Sequence, residues 1–233
     1  MSDSAQPIVS LRDVTRTYAQ GKTEVLALRG VSLEIFPGEL TVLSGPSGSG
    51  KTTALNLIGA LDRPTSGSVR VDGHELATLS RGELSELRRD RIGFVFQAYN
   101  LVPILTAYEN AEVVMALQGI DAKARRARVM GLLAQVGLEG LEDRRPDEMS
   151  GGQQQRVAIA RALAAKPAIV LADEPTANVD SETAEALLNL MEQLNRELKV
   201  TFLFSTHDPR VMARARRLIR MVDGRIVEDK VQG

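Results

Sequence analysis

A glycine-rich segment between two apolar runs limits most strongly what this chain can fold into. Leu40–Leu43 has the length and composition of a buried strand, and Ala54–Leu61 has the character of a helix. Residues 45–53 between them contain three glycines. A strand that turns through glycines into a helix N-terminus is typical of the edge of an α/β sheet, where free backbone N–H groups bind an anion. We therefore expect an α/β fold with an anion site at this turn.

The same segment matches the phosphate-binding pattern G-x-x-x-x-G-K-[ST], with a strand before it and a helix after it. The nucleotide-contacting residues that it predicts are Gly45, Pro46, Ser47, Gly48, Ser49, Gly50, Lys51, Thr52 and Thr53. We expect Lys51 to neutralise the β- and γ-phosphates of a bound nucleotide, Thr52 to offer its hydroxyl to Mg²⁺, and Thr53 to contact a phosphate. The alternative is a glycine-rich turn that binds no ligand.

The rest of the chain alternates between strand and helix patterns. The predicted strands are Ile8–Leu11, Leu26–Ile35, Val69–Val71, Ile92–Phe96, Ile169–Ala172 and Val200–Ser205, and the predicted helices after residue 150 are Gln153–Ala165 and Glu182–Leu198. Turns are expected at Gly21–Lys22 and at Asp72–Gly73. Residues 106–138 are rich in helix-forming residues. This order predicts one domain over residues 1–233, with an antiparallel N-terminal part, a parallel α/β core and a helical insertion at about residues 100–150.

Two carboxylates follow the apolar strand Ile169–Ala172. Asp173 and Glu174 are expected at the carboxyl edge of a parallel sheet, where ligands bind. We expect Asp173 to hold Mg²⁺ through water and Glu174 to act as the general base that polarises the attacking water. Without the glycine-rich segment, two such acids would indicate only a solvated strand end.

Three further side chains are expected in the same site. His207 and Gln97 each follow a predicted strand, so His207 is placed to donate to the γ-phosphate, and Gln97 to reach Mg²⁺ or the water with its amide oxygen. Tyr18 precedes the glycine-rich segment and is expected to stack on adenine; the alternative is a strand tyrosine that packs on a neighbour. The expected catalytic residues are therefore Glu174, His207, Gln97 and Lys51, and the expected metal ligands are Thr52, Gln97 and Asp173.

A second glycine pair opens a predicted helix at residues 150–153. The segment is Ser150, Gly151, Gly152 and Gln153. Small residues at a helix start allow an anion to approach the backbone N–H groups. The commoner use of such a sequence is an N-cap followed by flexible glycines, and physical arguments alone leave both interpretations open.

Composition excludes several classes of protein. The chain has 233 residues, a formal net charge of −1 and no cysteine, so it lacks the basic excess typical of nucleic-acid binding and can form no disulfide. No apolar run approaches the ~20 residues of a spanning helix, and Met1–Pro7 lacks the apolar core of a signal peptide. We expect a protein that is soluble by itself and reaches a membrane only through a partner.

Together these residues resemble a known family. The ordered set Tyr18, Gly45–Thr53, Gln97, Ser150–Gln153, Asp173–Glu174, Asp180 and His207 is similar to the motif set of the nucleotide-binding domain of ABC transporters. The resemblance implies a P-loop fold with a RecA-like core. It makes Gln97 the Q-loop, Ser150–Gln153 the signature motif, Asp180 the D-loop and His207 the switch histidine, with Ser150–Gln153 and Asp180 assigned to nucleotide binding. It further implies an ATP-dependent homodimer.

The finer resemblance is to the group of LolD, MacB and FtsE. It rests on Leu55–Gly59, Asp62–Gly67, Ile92–Gln97 and Asn100–Pro103. Two departures are Met149, where leucine is usual, and Ala177–Asp180 in place of Gly-Asn-Leu-Asp. The resemblance implies a separate integral membrane permease that docks near Gln97–Glu109, and a position on the cytoplasmic face of the inner (plasma) membrane.

Other families with a phosphate-binding loop differ from this chain in identifiable ways. A soluble ABC factor in DNA repair would carry a long inserted coiled coil, one in translation would carry two cassettes, and a P-loop kinase or GTPase would lack Ser150–Gln153. An FtsE-like ATPase that regulates an extracytoplasmic enzyme stays open, because its cassette has the same motifs. The arginine-rich stretch at residues 210–220 is interpreted as a solvated face in preference to a lipid-binding one.

Overall fold

The computed structural model describes residues 6–21 and 23–232. Lys22, part of the turn predicted at Gly21–Lys22, lies outside the described residues. So do residues 1–5, part of the N-terminus that was predicted not to be a signal peptide. The described strands are β1 (Val9–Gln20), β2 (Thr23–Ile35), β3 (Leu40–Ser44), β4 (Ser66–Val71), β5 (His74–Glu75), β6 (Ile92–Val95), β7 (Ile169–Asp173), β8 (Thr201–Thr206), β9 (Arg217–Val222) and β10 (Arg225–Val231). The described α-helices are α1 (Lys51–Ile58), α2 (Arg81–Arg91), α3 (Ala107–Leu117), α4 (Ala122–Gln135), α5 (Gly151–Ala164), α6 (Ser181–Leu198) and α7 (Pro209–Ala213).

A six-stranded sheet carries the centre of the molecule. Its spatial order is β10-β9-β3-β8-β7-β6, and all adjacent pairs except β10 with β9 are parallel. In register, Ser44 lies opposite Thr206 and Asp173 opposite Ser205. The carboxyl ends of β3, β7 and β8 therefore meet at one edge, and the loops that follow them are brought together there.

A four-stranded antiparallel sheet lies at the N-terminal part of the chain. Its order is β2-β1-β4-β5, and Val9 pairs with both Ile35 and Val71. The predicted turn at Asp72–Gly73 joins β4 to β5, with both turn residues at positive φ. The predicted antiparallel N-terminal part is thus confirmed.

Alternating side chains of the central sheet build two apolar cores. Val42, Phe202 and Phe204 pack with the helical side of the molecule, including α5 and α6. Leu43 and Leu203 point to the other face, where they pack with α1 and the antiparallel sheet. A strand that is buried on both faces has no polar side to alternate with, which explains the continuous apolar runs in the sequence.

Two helices fall within the segment predicted to be a helical insertion. Helix α3 begins with a capping box between Thr106 and Glu109, and α4 begins at Asp121, whose side chain accepts hydrogen bonds from two following amides. Met115 on α3 and Leu132 on α4 pack in the same core as α5. These N-caps fix where the two helices begin, at points where the sequence supplies a short polar side chain.

The structure also contains elements that the sequence patterns did not indicate. Helix α2 is strongly charged and buries only Leu84 and Leu87, so its apolar periodicity is weak.

The arginine-rich stretch at residues 210–220 is only partly the solvated face that was expected. Arg216 and Arg220 are exposed. Three other arginines are half-buried and ion-paired, namely Arg210 with Asp208, Arg214 with Glu185 and Glu192, and Arg217 with Glu39 and Asp229.

Within residues 6–21 and 23–232, no helix has both the length and the apolar character needed to cross a membrane.

Candidate functional site

A cleft of about 790 Å³ lies at the carboxyl edge of the central sheet. Twelve of the residues predicted to bind or act on nucleotide line it: Tyr18, Pro46, Ser47, Gly48, Gly50, Lys51, Thr52, Thr53, Gln97, Asp173, Glu174 and His207. They come from five separate stretches of the chain, which the parallel strand order brings together. Val25, Leu26, Ala27, Arg29, Asp223 and Gly224 also line the cleft and were not predicted.

The glycine-rich loop is shaped by its glycines and by Lys51. Gly48 and Gly50 have φ of 79° and 99°, which a glycine adopts at little cost. The Lys51 ammonium lies inside the loop and donates to the carbonyl oxygens of Gly45 and Pro46 at 2.8 and 3.0 Å. Helix α1 starts after Gly50 without a side-chain cap, so no side chain competes for its first amides.

Two residues of the pattern hold the loop without lining the cleft. Gly45, at φ of 151°, lies so close to the carbonyl of Met221 that a Cβ would overlap it. Ser49 is buried, and its carbonyl accepts a hydrogen bond from the amide of Gly224 at 3.0 Å. The β9–β10 hairpin therefore supports the loop from behind, a contact across more than 170 residues that local sequence patterns do not reveal.

The hydroxyl of Thr52 lies beside the carboxylate of Asp173. It donates to Asp173 Oδ2 at 3.1 Å, although the two residues are far apart in sequence. Gln97 lines the same cleft. A hydroxyl, a carboxylate and an amide oxygen are the hard oxygen donors that Mg²⁺ prefers, so this donor set fits the predicted ion.

Glu174 is held by the segment that follows β8. The Thr206 hydroxyl donates to Glu174 Oε2 at 2.8 Å, the His207 amide donates to Oε1 at 3.2 Å, and His207 Nδ1 lies 2.6 Å from Oε1. The Glu174 side chain is 18% exposed and that of His207 is 73% exposed. A fixed, mostly buried carboxylate beside a solvent-exposed imidazole is suited to moving a proton at the cleft surface.

The side chain of Tyr18 is held by Asp62 and Arg16, neither of which was predicted from the sequence. Its hydroxyl donates to Asp62 Oδ2 at 2.7 Å, and the Arg16 guanidinium lies 4.4 Å from the ring centroid. Arg16 also pairs with Asp62 at 2.8 Å. The two supports fix the ring and cover one of its faces. Arg16 and Tyr18 are two residues apart on one strand, a spacing that places their side chains on the same face. This spacing could have predicted their contact from the sequence.

Gln97 is tied to the loop that follows Glu174. Asn178 Nδ2 donates to the Gln97 carbonyl at 2.9 Å, and Gln97 Nε2 donates to Asn178 Oδ1 at 3.4 Å. The hydroxyl of Tyr99 donates to the Asn178 carbonyl at 3.0 Å. Neither Asn178 nor Tyr99 was among the predicted site residues.

Five predicted nucleotide-binding residues lie away from this cleft. Ser150 caps α5 in a capping box with Gln153, as its amide donates to Gln153 Oε1 and its hydroxyl accepts from the Gln153 amide. Gly151 and Gly152 follow at the start of that helix. Asp180 caps α6 and accepts hydrogen bonds from the hydroxyl and the amide of Thr183, which hold the pKa of Asp180 below its ordinary value. Within one chain, these residues do not join the others.

Comparison with known proteins agrees with the motif set. Residues 28–177 match the family profile described as ABC transporter. The chain is 47% identical over 233 residues to the macrolide export ATP-binding/permease protein MacB 1/2 of Paracoccus denitrificans, and it spans only 35% of that protein. It is 49% identical over 226 residues to the lipoprotein-releasing system ATP-binding protein LolD of Anaeromyxobacter dehalogenans, a match that covers 97% of this chain and 95% of the relative.

Solved structures show the same fold. The dimeric post-hydrolysis structure of the ATP-binding cassette MJ0796 bound to ADP and Pi has a TM-score of 0.88 and 44% identity, and the match covers 97% of this chain and 99% of that one. The structure of cbiO1 from Clostridium perfringens has a TM-score of 0.87 at 28% identity, covering 97% and 89%. The predicted fold and the resemblance to the LolD and MacB cassettes are confirmed, and the chain belongs to the ABC transporter family as one of its ATP-hydrolysing cassettes.

Proposed function

We propose that the chain hydrolyses magnesium-bound ATP in the cleft at the sheet edge and thereby drives an integral membrane permease of the lipoprotein-release or macrolide-export type. The observation that carries the proposal is the convergence of Lys51, Asp173 and Glu174 in one cleft. Strand β3 leads to the cation of Lys51, and strand β7 leads into both carboxylates, so two segments of the sheet edge deliver all three groups to one place. Nucleotide hydrolysis needs these three groups together.

The glycine-rich loop would hold the phosphates. Lys51 points into the loop, where its ammonium is kept by two carbonyl oxygens, and a phosphate chain placed there would exchange those contacts for stronger, charge-assisted ones. The uncapped start of α1 adds amides to the same place. The exposed face of Tyr18, already braced by Arg16 and Asp62, would take the adenine ring.

Thr52, Asp173 and Gln97 would hold Mg²⁺. The ion would neutralise phosphate charge and orient the phosphate oxygens at the bond that breaks. Thr52 and Asp173 are already in contact, so the chain brings two of the three proposed ligands together.

Glu174 would accept the proton of the attacking water, and His207 would orient the water and donate toward the terminal phosphate. The contacts from Thr206 and His207 fix the Glu174 carboxylate, which reduces the reorganisation needed at the moment of reaction.

We further propose that each ATP site is completed by the Ser150–Gln153 segment of a second copy of the chain. The position of this segment outside the cleft of its own chain supports the proposal. So does the dimeric state of the MJ0796 cassette structure, which has 44% identity to this chain. The capping box engages the amides of Ser150 and Gln153 and does not use those of Gly151 and Gly152.

Permease docking is proposed at the surface around Gln97–Glu109. Ile104 and Val102 in this segment are 75% and 41% exposed, and Leu61 beside it is 50% exposed. A groove of about 340 Å³ between the sheet edge and the helical part is lined by apolar and basic residues, including Leu61, Phe94, Val114 and Arg161. A short amphipathic segment of a permease would fit there, which would place the protein on the cytoplasmic face of the inner (plasma) membrane.

Two variants test the catalytic assignment. In Glu174→Gln, hydrolysis should fall by roughly 10²-fold or more while ATP affinity is kept, because only proton transfer is lost. In Lys51→Ala, ATP affinity itself should fall by at least about tenfold, because a charge-assisted contact to the phosphates is removed. Phosphate release and nucleotide binding, each with Mg²⁺ and with EDTA, give both readouts. Turnover of Glu174→Gln at the wild-type rate would remove Glu174 from the role of base.

A further inference from the structure

The side chain of Tyr99 lies where three parts of the nucleotide machinery meet. Its hydroxyl donates to the carbonyl of Asn178 at 3.0 Å. A Cβ built on Gly151 would lie 2.7 Å from the same hydroxyl oxygen, and 3.6 Å from both the ring carbon that bears it and the Asn178 carbonyl. Gly151 therefore packs its backbone directly on the Tyr99 hydroxyl, and the side chain bridges the start of α5 to the loop that follows Glu174.

The backbone at this point is strained and firmly held. Tyr99 and Asn100 have φ of 50° and 51°, a region that non-glycine residues enter at a cost. Arg161 of α5 donates to both of their carbonyl oxygens, at 2.8 and 2.6 Å. Burial lowers the pKa of the Arg161 guanidinium. The partly buried Arg161 guanidinium binds both carbonyl oxygens, so the surrounding structure fixes this turn and with it the direction of the tyrosine ring.

Asn178 connects Tyr99 to Gln97. The carbonyl of Asn178 accepts a hydrogen bond from the Tyr99 hydroxyl. The side chain of Asn178 donates a hydrogen bond to the Gln97 carbonyl at 2.9 Å. Gln97 lines the nucleotide cleft and Gly151 does not. Burial raises the pKa of the Tyr99 hydroxyl further above neutrality, so the hydroxyl is protonated and able to donate.

We propose that Tyr99 is a positioning residue for hydrolysis: its hydroxyl sets the placement of Gln97 in the cleft relative to Gly151 at the start of α5. The proposal rests on the role proposed above for Gln97 and adds a residue that touches neither ATP nor Mg²⁺. The competing interpretation is a tyrosine that only packs, for which the ring would matter and the hydroxyl would not.

Tyr99→Phe removes the hydroxyl alone. We expect kcat to fall about fivefold, the effect of one lost hydrogen bond, with little change in KM for ATP. Thr78→Val is the matched control, because it also deletes a hydroxyl that donates to a backbone carbonyl, that of Glu75 at 2.8 Å. Thr78 lies outside both the cleft and the proposed docking segment, so this variant should keep the wild-type kcat. Gln97→Ala is measured alongside.

A rescue experiment tests the contact without hydrolysis. Gly151→Ala forces its new methyl group against the Tyr99 hydroxyl, so the Tm of the nucleotide-free protein should fall. In the Tyr99→Phe background the nearest contacts would be ordinary at 3.6 Å, and the fall in Tm from Gly151→Ala should be clearly smaller.

The outcomes separate this proposal from the assignment of Gln97. A wild-type kcat in Tyr99→Phe, while Gln97→Ala loses activity, overturns only the role of Tyr99. An equal loss of Tm from Gly151→Ala in both backgrounds overturns the contact on which that role depends. A wild-type kcat in Gln97→Ala overturns the role of Gln97 and the present proposal with it.

Discussion

The two glycine-assisted helix starts of this chain use glycine for opposite purposes. Helix α1 begins after Gly50, has no side-chain cap, and contributes its first three residues, 51–53, to the wall of an open cleft. Helix α5 begins after Ser150, is closed by a capping box, and presses Gly151 against Tyr99 and Gly152 against Thr183. Glycine makes room for a ligand at the first helix and lets neighbouring segments pack closely at the second.

This difference indicates how the two helix starts are used. The α1 start is surrounded by charged groups of its own chain, among them Lys51, Asp173 and Glu174. The α5 start is fixed in position by its packing, yet it lies outside that cleft and its N-cap residue Ser150 is exposed. A rigid, outward-facing helix N-terminus is suited to binding an anion that another molecule presents.

Among the changes that compare the two helix starts, the largest effect is expected from a charge placed at the α5 start. Ser150→Asp keeps a good N-cap residue but adds a carboxylate where the proposed phosphate of the partner chain approaches. Charge repulsion should lower hydrolysis by at least about tenfold, while ATP binding to the monomer stays near the wild-type value. Steady-state hydrolysis and nucleotide binding at low protein concentration measure the two quantities.

Ser150→Asn is the matched control for this prediction. Asparagine caps a helix as well as aspartate but carries no charge. It should retain most of the hydrolysis, and an equal loss in both variants would show that the cap geometry, not the charge, matters. Gly151 is a poorer position for the test, because any side chain there meets Tyr99 within the same chain.

The smallest effect on hydrolysis is expected from a change at Ile104, which lies in the proposed docking segment and belongs to neither helix start. Leu101 packs against the core, whereas Ile104 is 75% exposed and is the better probe of the proposed docking surface. Since the chain has no cysteine, Ile104→Cys gives a unique site for a photo-crosslinker. We expect an adduct with an integral membrane protein in membranes of the source cells.

The control for this crosslink is Val227→Cys. Val227 is 56% exposed on β10, at the edge of the central sheet opposite β6, and the proposed docking segment follows β6. Little or no membrane adduct should form from this position. Equal adducts from both positions, or none from Ile104→Cys, would show that the docking surface has been misplaced.

Local sequence patterns predicted the parts of the site that depend on neighbouring residues. The glycine-rich loop and the pair Asp173–Glu174 follow from a strand, its end and the residue types there, and the structure brings them together in one cleft. The contacts of Tyr18 with Asp62 and of Tyr99 with Gly151 join residues more than 40 positions apart. Such contacts are set by tertiary packing, which periodicity and spacing do not encode.

The same limit applies to the glycines at residues 151 and 152. Their sequence is compatible with an anion site and with a simple cap, and the structure shows close packing within the chain. Packing inside one chain and phosphate binding across a dimer do not exclude each other. A measurement on two chains at once is therefore needed.

Mixing two inactive variants tests the shared site most directly. Lys51→Ala damages the α1 start and Ser150→Asp damages the α5 start, and equal amounts should give about half heterodimers by random pairing. If sites are shared, each heterodimer has one doubly damaged site and one intact site. The account predicts recovered hydrolysis in the mixture or, if turnover requires both sites, one tightly retained ATP per heterodimer. An inactive mixture without retained nucleotide, despite demonstrated subunit exchange, would contradict it.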